Sequence, residues 1–208
     1  MGYLFFDTGA MYRAVTWAAQ RAGIPLDADD RLTHLAATLP ILIRQPAPGE
    51  TDGRAYSVLI GGDDATWAIR APAVEAAVSQ VSAWAGVRHA LVAQQRRVAA
   101  SVGTPDGPAG IVMAGRDIGT VVLPQADCKL YLNAGPAERA RRRHDELRAR
   151  GEPSDFDQTL AAVVRRDTID STRAVSPLRP AADAIILVTD GLPIAQSVAL
   201  ALQAVGAA

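Results

Sequence analysis

Residues 3–13, YLFFDTGAMYR, set the pattern that decides the fold: a short apolar run ends in Asp-Thr-Gly, and a helix-forming segment follows. Residues 111–120, IVMAGRDIGT, repeat the arrangement, because another apolar run leads directly into Gly-Arg-Asp. Short apolar runs of this kind are typical of strands in a parallel sheet that is buried on both faces. Ligands of such sheets bind at the carboxyl ends of the strands, so the polar residues after each run are candidates for a binding site.

Further apolar runs and helix-forming segments continue the alternation along the chain. Strands are predicted at residues 129–133 and 184–189, in addition to those at 3–6 and 111–114. The predicted helices cover residues 10–22, 31–39, 72–84, 87–100, 136–149, 156–174 and 194–205. Strands that alternate with helices predict an α/β protein with a parallel sheet and flanking helices.

The segment between residues 40 and 86 departs from this alternation. Its apolar runs are short, at 41–44, 56–60 and 66–69, and they are separated by turns rich in Gly, Pro and Asp. Short strands joined by such turns are typical of an antiparallel sheet. We therefore predict a small antiparallel subdomain at 40–86, inserted into a single domain that covers residues 1–208.

Composition restricts the classes of function. Of the 208 residues 49% are hydrophobic, and 21 basic against 22 acidic side chains leave a formal net charge of −1. Such a chain is globular and has no global field that would attract nucleic acid or an acidic membrane. One cysteine and three scattered histidines argue against a disulfide and against a metal site. Without an apolar run of about 18 residues or a basic leader, we expect a cytoplasmic monomer with no membrane or nucleic-acid partner.

Two strand ends carry candidate ligand-binding residues. After the first run, Thr8 can present its hydroxyl at the sheet edge and Arg13 can reach a phosphate; alternatively, they are a capping threonine and a solvated arginine. After the second run, Arg116 suits a phosphate and Asp117 suits an amino group. The alternative for this second pair is a mutual ion pair that closes the strand end.

A third segment places charges on one face of a predicted helix. Arg166, Asp170 and Arg173 are spaced i, i+4 and i+7. An aspartate between two arginines is a poor general base but a good fixed acceptor, for instance for a sugar hydroxyl. The alternative is a surface salt-bridge ladder, which contributes little to stability.

The helix predicted over 136–149 is rich in arginine. Six arginines lie between residues 139 and 150, so the segment can clamp a polyphosphate or bind RNA. Three acidic residues dilute the charge and no aromatic residue stands among the arginines, which favours a solvated face over an RNA surface. Together, the first three segments indicate a small phosphorylated ligand with hydroxyls and a hydrogen-bonding base.

The motifs resemble those of the bacterial cytidylate kinases, the CMP/dCMP kinases among the nucleoside monophosphate kinases. The resemblance rests on DTGAMYR (7–13), GRDIGTVV (115–122) and R-D-x-x-D-x-x-R-A-x-x-P-L (166–178), and on shorter matches between residues 69 and 91. It implies a P-loop NMP-kinase-like fold, a nucleotide-binding insertion at 40–86 and a lid at 139–156. It also implies ATP as phosphoryl donor, Mg²⁺ as cofactor and CMP or dCMP as acceptor.

The resemblance also implies roles for individual residues. It assigns Arg13, Arg116 and Arg173 to binding of the acceptor phosphate, as catalytic residues. The lid arginines that would reach the donor phosphates are Arg139, Arg142 and Arg143. The substrate-binding residues are Thr8 in the pocket wall, Ser79, Arg88 and Asp117 at the cytosine edge, and Arg166 with Asp170 at the pentose.

One departure from the family pattern bears on the donor site. The family's phosphate-binding loop, G-x-x-x-x-G-K-[ST], does not occur in residues 1–208, where the sole lysine, Lys129, follows Cys128. From this we expect a fold without the first strand and the P-loop, and impaired phosphoryl transfer. The alternative is a catalytically inactive remnant that binds CMP without turnover.

Overall fold

A computed structural model describes residues 3–172 and 175–206, and the chain divides into two compact units, residues 1–118 and 119–208. In the first unit the elements follow one another as β1 (Leu4–Asp7), α1 (Thr8–Arg21), α2 (Asp29–Thr38), β2 (Ile41–Arg44), β3 (Ser57–Ile60), β4 (Asp63–Asp64), α3 (Pro72–Val81), α4 (Ala85–Ala100) and β5 (Ile111–Ala114).

Strand β1 and helix α1 form the centre of the first unit. β1 pairs in parallel with β5, with Leu4 opposite Ile111 and Asp7 opposite Ala114. α1 begins directly after β1, where the Asp7 carboxylate accepts a hydrogen bond from the Gly9 amide at 2.9 Å and so caps the helix. The helix buries its apolar face almost completely, at Ala10, Met11, Ala14, Val15 and Ala19. A buried α1 holds its first turn rigidly at the carboxyl ends of β1 and β5.

The small antiparallel sheet was predicted correctly at two of its three strands. β2, β3 and β4 pair in that order, but residues 66–69 do not form the third strand as predicted; residues 68–70 form a 3₁₀ turn instead. The returning strand begins earlier, at Asp63, because Gly61 and Gly62 both adopt positive φ and close a tight hairpin. The chain then bends away where the Asp64 carboxylate accepts the Thr66 amide at 2.9 Å.

The second unit contains β6 (Leu130–Asn133), α5 (Pro136–Ala149), α6 (Phe156–Thr172), β7 (Ile185–Val188) and α7 (Ile194–Gly206). β6 and β7 pair in parallel over four residues each. α5 packs on α6, where Ala140 is fully buried and the rings of His144 and Phe156 meet edge to face at 6.2 Å between centroids. None of the helices in the described ranges is long and apolar enough to cross a membrane.

The α/β class with parallel strand pairs and flanking helices is confirmed. The sequence predicted one parallel sheet, whereas the structure contains one parallel pair in each unit. The insertion at 40–86 and the lid at 139–156 stay predictions.

Candidate functional site

The end of β1 carries a cluster of charged and polar side chains. Arg13 in α1 donates to the Asp7 carboxylate at 2.7 Å, and the Tyr56 hydroxyl donates to the same carboxylate oxygen at 2.6 Å. Tyr56 precedes β3, so its side chain joins the small sheet to the β1–α1 turn. The hydroxyl also accepts hydrogen bonds from Arg13 at 3.2 Å and from Arg70 at 2.6 Å. The predicted residue Arg13 is therefore held in place rather than solvated.

The cluster fixes the protonation states of its members. Burial by itself would raise the pKa of Asp7, but the Arg13 charge and the hydrogen bonds from Tyr56, Arg13 and Gly9 outweigh it, and the pKa lies below its ordinary value. Burial, together with the bond to the Asp7 carboxylate, raises the pKa of Tyr56 to about 12. At neutral pH the aspartate is ionised and the tyrosine is a neutral phenol.

Thr8 ties the ends of the paired strands together. It is buried, and its hydroxyl donates to the Ala114 carbonyl at 2.9 Å. The helix cap is provided by Asp7 and not by Thr8, so the capping alternative for the threonine is wrong. A Cβ at Gly115 would lie 2.3 Å from the Thr8 hydroxyl oxygen, so only glycine allows the second motif to pass this close to the first.

Two of the three residues assigned to the cytosine edge, Arg88 and Asp117, come together in the first unit, whereas Ser79 is linked to them only through Ser82. Arg88 in α4 and Asp117 after β5 form an ion pair with side chains only 3% and 5% exposed. Arg88 also donates to the Ser82 carbonyl at 3.2 Å, and the Ser82 hydroxyl donates to the Ser79 carbonyl at 3.1 Å. Arg88 Nε is buried without a hydrogen-bond partner among the described residues.

One further contact defines the surroundings of this ion pair. The Arg88 guanidinium lies over the ring of Tyr12, at 5.3 Å from the centroid, and Tyr12 is the neighbour of Arg13 in α1. Helix α1 therefore contacts the Arg88–Asp117 pair through Tyr12 and the Asp7 cluster through Arg13. Arg116 is exposed beside the buried Asp117. The pairing of Asp117 with Arg88 accounts for the burial of its carboxylate.

The residues assigned to the pentose lie in the second unit. Arg166 and Asp170 share one face of α6, as predicted, with Arg166 Nε 3.8 Å from Asp170 Oδ2. Asp170 is buried, and its backbone carbonyl accepts the Leu178 amide at 2.7 Å, whereas the Arg166 side chain is half exposed. Burial of the carboxylate distinguishes this pair from a solvated ladder. Arg173 lies outside the described residues.

The lid arginines contact acidic or polar groups of the second unit. Arg139 makes a two-pronged ion pair with Asp167 of α6, and Arg142 binds Glu138 and the Thr189 carbonyl after β7. Arg143 pairs with Glu146 at 3.0 Å. A polyphosphate that engaged these three arginines would compete with these partners.

Sequence reasoning missed three members of the Asp7 cluster as functional candidates: Asp7, Tyr56 and Arg70. Asp7 was quoted within a motif but given no role, although a charged residue at a strand end is the same signal that identified Asp117. No local pattern marks Tyr56 or Arg70, because Tyr56 lies 49 positions from its partner Asp7, and Arg70 lies 14 positions from its partner Tyr56.

Comparison with known proteins identifies the family. The family model described as cytidylate kinase matches residues 1–207. A cytidylate kinase from Chloroflexus aggregans is 50% identical over 203 residues, 97% of this chain and 82% of that protein. One from Pelotomaculum thermopropionicum is 44% identical over 207 residues, covering 100% and 86%, and one from Rhodococcus opacus is 46% identical over 194 residues, covering 93% and 80%.

These comparisons correct two expectations. The interpretation of the chain as lacking its P-loop segment is not borne out, since the family model matches residues 1–207. The resulting expectation of an impaired enzyme or an inactive remnant is likewise unsupported, because the matched relatives are named as kinases. The motif search tested one loop, whereas the family match extends over residues 1–207.

Proposed function

The chain belongs to the cytidylate kinase family, and on that premise we propose that it transfers the γ-phosphate of ATP to CMP or dCMP, giving ADP and CDP or dCDP. The family match over residues 1–207 carries the proposal. The described geometry supports it, because Arg13, assigned to the phosphate, follows the carboxyl end of β1, and Asp117, assigned to the base, follows that of β5.

In this proposal, the acceptor phosphate is bound by Arg13, Arg116 and Arg173. A phosphate monoester has its second pKa near 6 and is largely a dianion at neutral pH, so its oxygen attacks the γ-phosphorus of ATP without a general base. ADP departs as the new P–O bond forms. The task left to the protein is to position two anions and to neutralise their charge, for which guanidinium groups are suited. The Asp7 contact holds Arg13 ready for this task.

The cytosine base is recognised by Ser79, Arg88 and Asp117. A buried donor without a partner, such as Arg88 Nε, costs about 1–3 kcal/mol, part of which a ligand acceptor would recover. Cytosine offers acceptors at its ring nitrogen and carbonyl and a donor at its amino group. The Asp117 carboxylate is the matching acceptor for that amino group, which uracil lacks.

In the second unit, Asp170 with Arg166 would hold the pentose, while Arg139, Arg142 and Arg143 would engage the donor. Mg²⁺ bound with ATP would supply neutralisation of the phosphate charge during phosphoryl transfer. The described residues contain no group of three or more His, Cys, Asp or Glu side chains placed to hold a metal ion. No residue of this chain is therefore assigned to Mg²⁺.

The proposal is tested by measuring ADP formation from ATP in a coupled assay with CMP, dCMP or UMP. We expect turnover with CMP or dCMP at a kcat/KM well above that for UMP. The kcat/KM of the Arg116→Lys variant for CMP should be lower by about tenfold or more, because lysine cannot make paired hydrogen bonds to phosphate. Arg21→Met, at the far end of α1, serves as the control. Absence of CMP-dependent ADP formation would contradict the proposed reaction.

A further inference from the structure

The Tyr56 hydroxyl uses its whole hydrogen-bonding capacity within the Asp7 cluster. A phenol donates one hydrogen bond and accepts up to two. Here the single donor goes to Asp7 at 2.6 Å, and the two acceptor positions take Arg70 at 2.6 Å and Arg13 at 3.2 Å. Two guanidinium groups therefore reach the same oxygen atom. Like charges do not approach each other in this way without a group that holds them.

Arg70 is a cation that lacks an acidic partner among the described residues. It is half buried at the end of the 3₁₀ turn, and the faces of Tyr56 and Trp67 lie against it at 5.3 and 5.9 Å from the ring centroids. Aromatic faces stabilise a guanidinium group but do not neutralise it. Within the described residues its hydrogen bond goes to the Tyr56 hydroxyl, at 2.6 Å.

The charges of the cluster do not balance. Arg13 and Arg70 contribute two positive charges, Asp7 contributes one negative charge, and the phenol of Tyr56 stays neutral because burial and the bond to Asp7 raise its pKa to about 12. One positive charge is left over at a site where Arg13 is assigned to a phosphate. A phosphate dianion that contacts both guanidinium groups would be attracted by this excess, which offsets half of the dianion's charge.

We propose that Tyr56 is a positioning residue whose hydroxyl holds Arg13 and Arg70 side by side, and that Arg70 binds the acceptor phosphate together with Arg13. The inference rests on the proposed function, which places a phosphate at Arg13. It gives the small antiparallel sheet a direct part in acceptor binding, since Tyr56 leads into β3 and Arg70 follows β4.

The test compares a ligand with phosphate and a ligand without it. Binding of CMP and of cytidine to the full 208-residue chain is measured by calorimetry for the wild type, Tyr56→Phe, Arg70→Met and Arg21→Met. Tyr56→Phe keeps the ring that packs against Phe5, at 5.8 Å between centroids, and removes only the hydroxyl. Arg21 is the matched control, because it is also an arginine stacked on an aromatic ring, that of Trp17, at 4.8 Å.

We expect Arg70→Met to weaken CMP binding about tenfold or more and Tyr56→Phe to weaken it about three- to tenfold, the values usual for a charged and a neutral hydrogen bond. Cytidine affinity should change less than twofold, and Arg21→Met should change neither. In steady-state kinetics, Arg70→Met and Tyr56→Phe should raise the KM for CMP more than they lower kcat. If Tyr56→Phe does not fold, Arg70→Met still decides the question, because it leaves the Tyr56–Asp7 bond in place.

Two results would overturn the inference while leaving the proposed function intact. One is an equal loss of CMP and cytidine affinity in both variants, which indicates a structural role. The other is unchanged CMP affinity in both. A wild-type chain that binds CMP no better than cytidine would instead remove the phosphate site on which the inference depends, and this is seen before any substitution is made.

Discussion

Arg88 and Asp117 owe their properties to burial. The motifs marked both as ligand-binding residues, and the structure adds that they neutralise each other where almost no solvent reaches them. A buried ion pair gains little net stability over apolar residues, but removal of one partner leaves the other charge buried and uncompensated. The pair therefore matters for folding as well as for recognition of the base.

A double-mutant cycle separates these two roles. Arg88→Met should lower the free energy of unfolding by about 3–5 kcal/mol, because the Asp117 carboxylate loses its cation, and Asp117→Leu should do the same to Arg88. The double variant should regain most of this stability while CMP affinity stays lost. Urea denaturation gives the stability and calorimetry the affinity.

The control for this cycle is an exposed ion pair. Arg141 pairs with Glu138 at 3.1 Å with its own side chain 63% exposed, and Arg141→Met should change stability by less than about 1 kcal/mol. Additive losses in the double variant of the buried pair would contradict our interpretation, since they would mean that neither charge depends on the other.

At the scale of the helices, close packing of α2 and α4 depends on one glycine. A Cβ at Gly86, in the first turn of α4, would lie 2.1 Å from the Thr33 hydroxyl oxygen and 2.8 Å from its methyl group. Neither distance is tolerated, so alanine at this position requires the two helices to move apart. Thr33 itself donates to Asp29 in the first turn of α2, at 3.0 Å, which limits its freedom to rotate away.

We expect Gly86→Ala to destabilise the protein by about 1–3 kcal/mol, although alanine is the better helix former. Thr33→Ala in the same chain should recover part of this loss, since it removes both clashing atoms. Gly206→Ala, at a helix position with open space around it, is the matched control and should be neutral or slightly stabilising. Thermal unfolding measures all three variants; a neutral Gly86→Ala would show that the helices are not packed as closely as described.

At the element scale the sequence was a good guide, with one instructive failure. The period of the apolar residues predicted each helix and the strands of both parallel pairs, since that period is a local property of the chain. Residues 66–69 resemble a strand because Thr66 and Ile69 are β-branched and Trp67 is aromatic. They turned instead, because the positive φ of Gly61 and Gly62 set where the hairpin returns and Asp64 then capped the bend.

At the scale of the whole molecule, the distribution of charge disfavours binding of RNA. The net charge is −1, and the arginine-rich α5 carries its own neutralising carboxylates. Glu138 pairs with Arg141 and Arg142, and Glu146 pairs with Arg143 and Arg150. A polyanion such as RNA gains little from arginines that are already paired, because its binding depends on released counterions.

We therefore expect no saturable binding of a single-stranded RNA oligonucleotide below about 0.1 mM protein at 0.15 M salt, measured by fluorescence anisotropy. The variant Glu138→Gln with Glu146→Gln frees the paired arginines and should bind more tightly, with a steeper dependence on salt. Micromolar affinity of the unaltered chain would contradict this expectation and restore the RNA interpretation of α5.

The sequence by itself determined the α/β class, the family and most of the residues assigned to the acceptor, because these depend on local periodicity and on motifs read along the chain. Only the tertiary structure decided which side chains form ion pairs and hydrogen bonds with each other. These pairs are Asp117 with Arg88, Asp7 with Arg13 and Tyr56, and Tyr56 with Arg70. Most of these partners are far apart in sequence and meet because strand pairing and helix burial bring them together. A sequence motif shows which charges are present, and burial then determines which of them must be neutralised by the protein and which is left for a ligand.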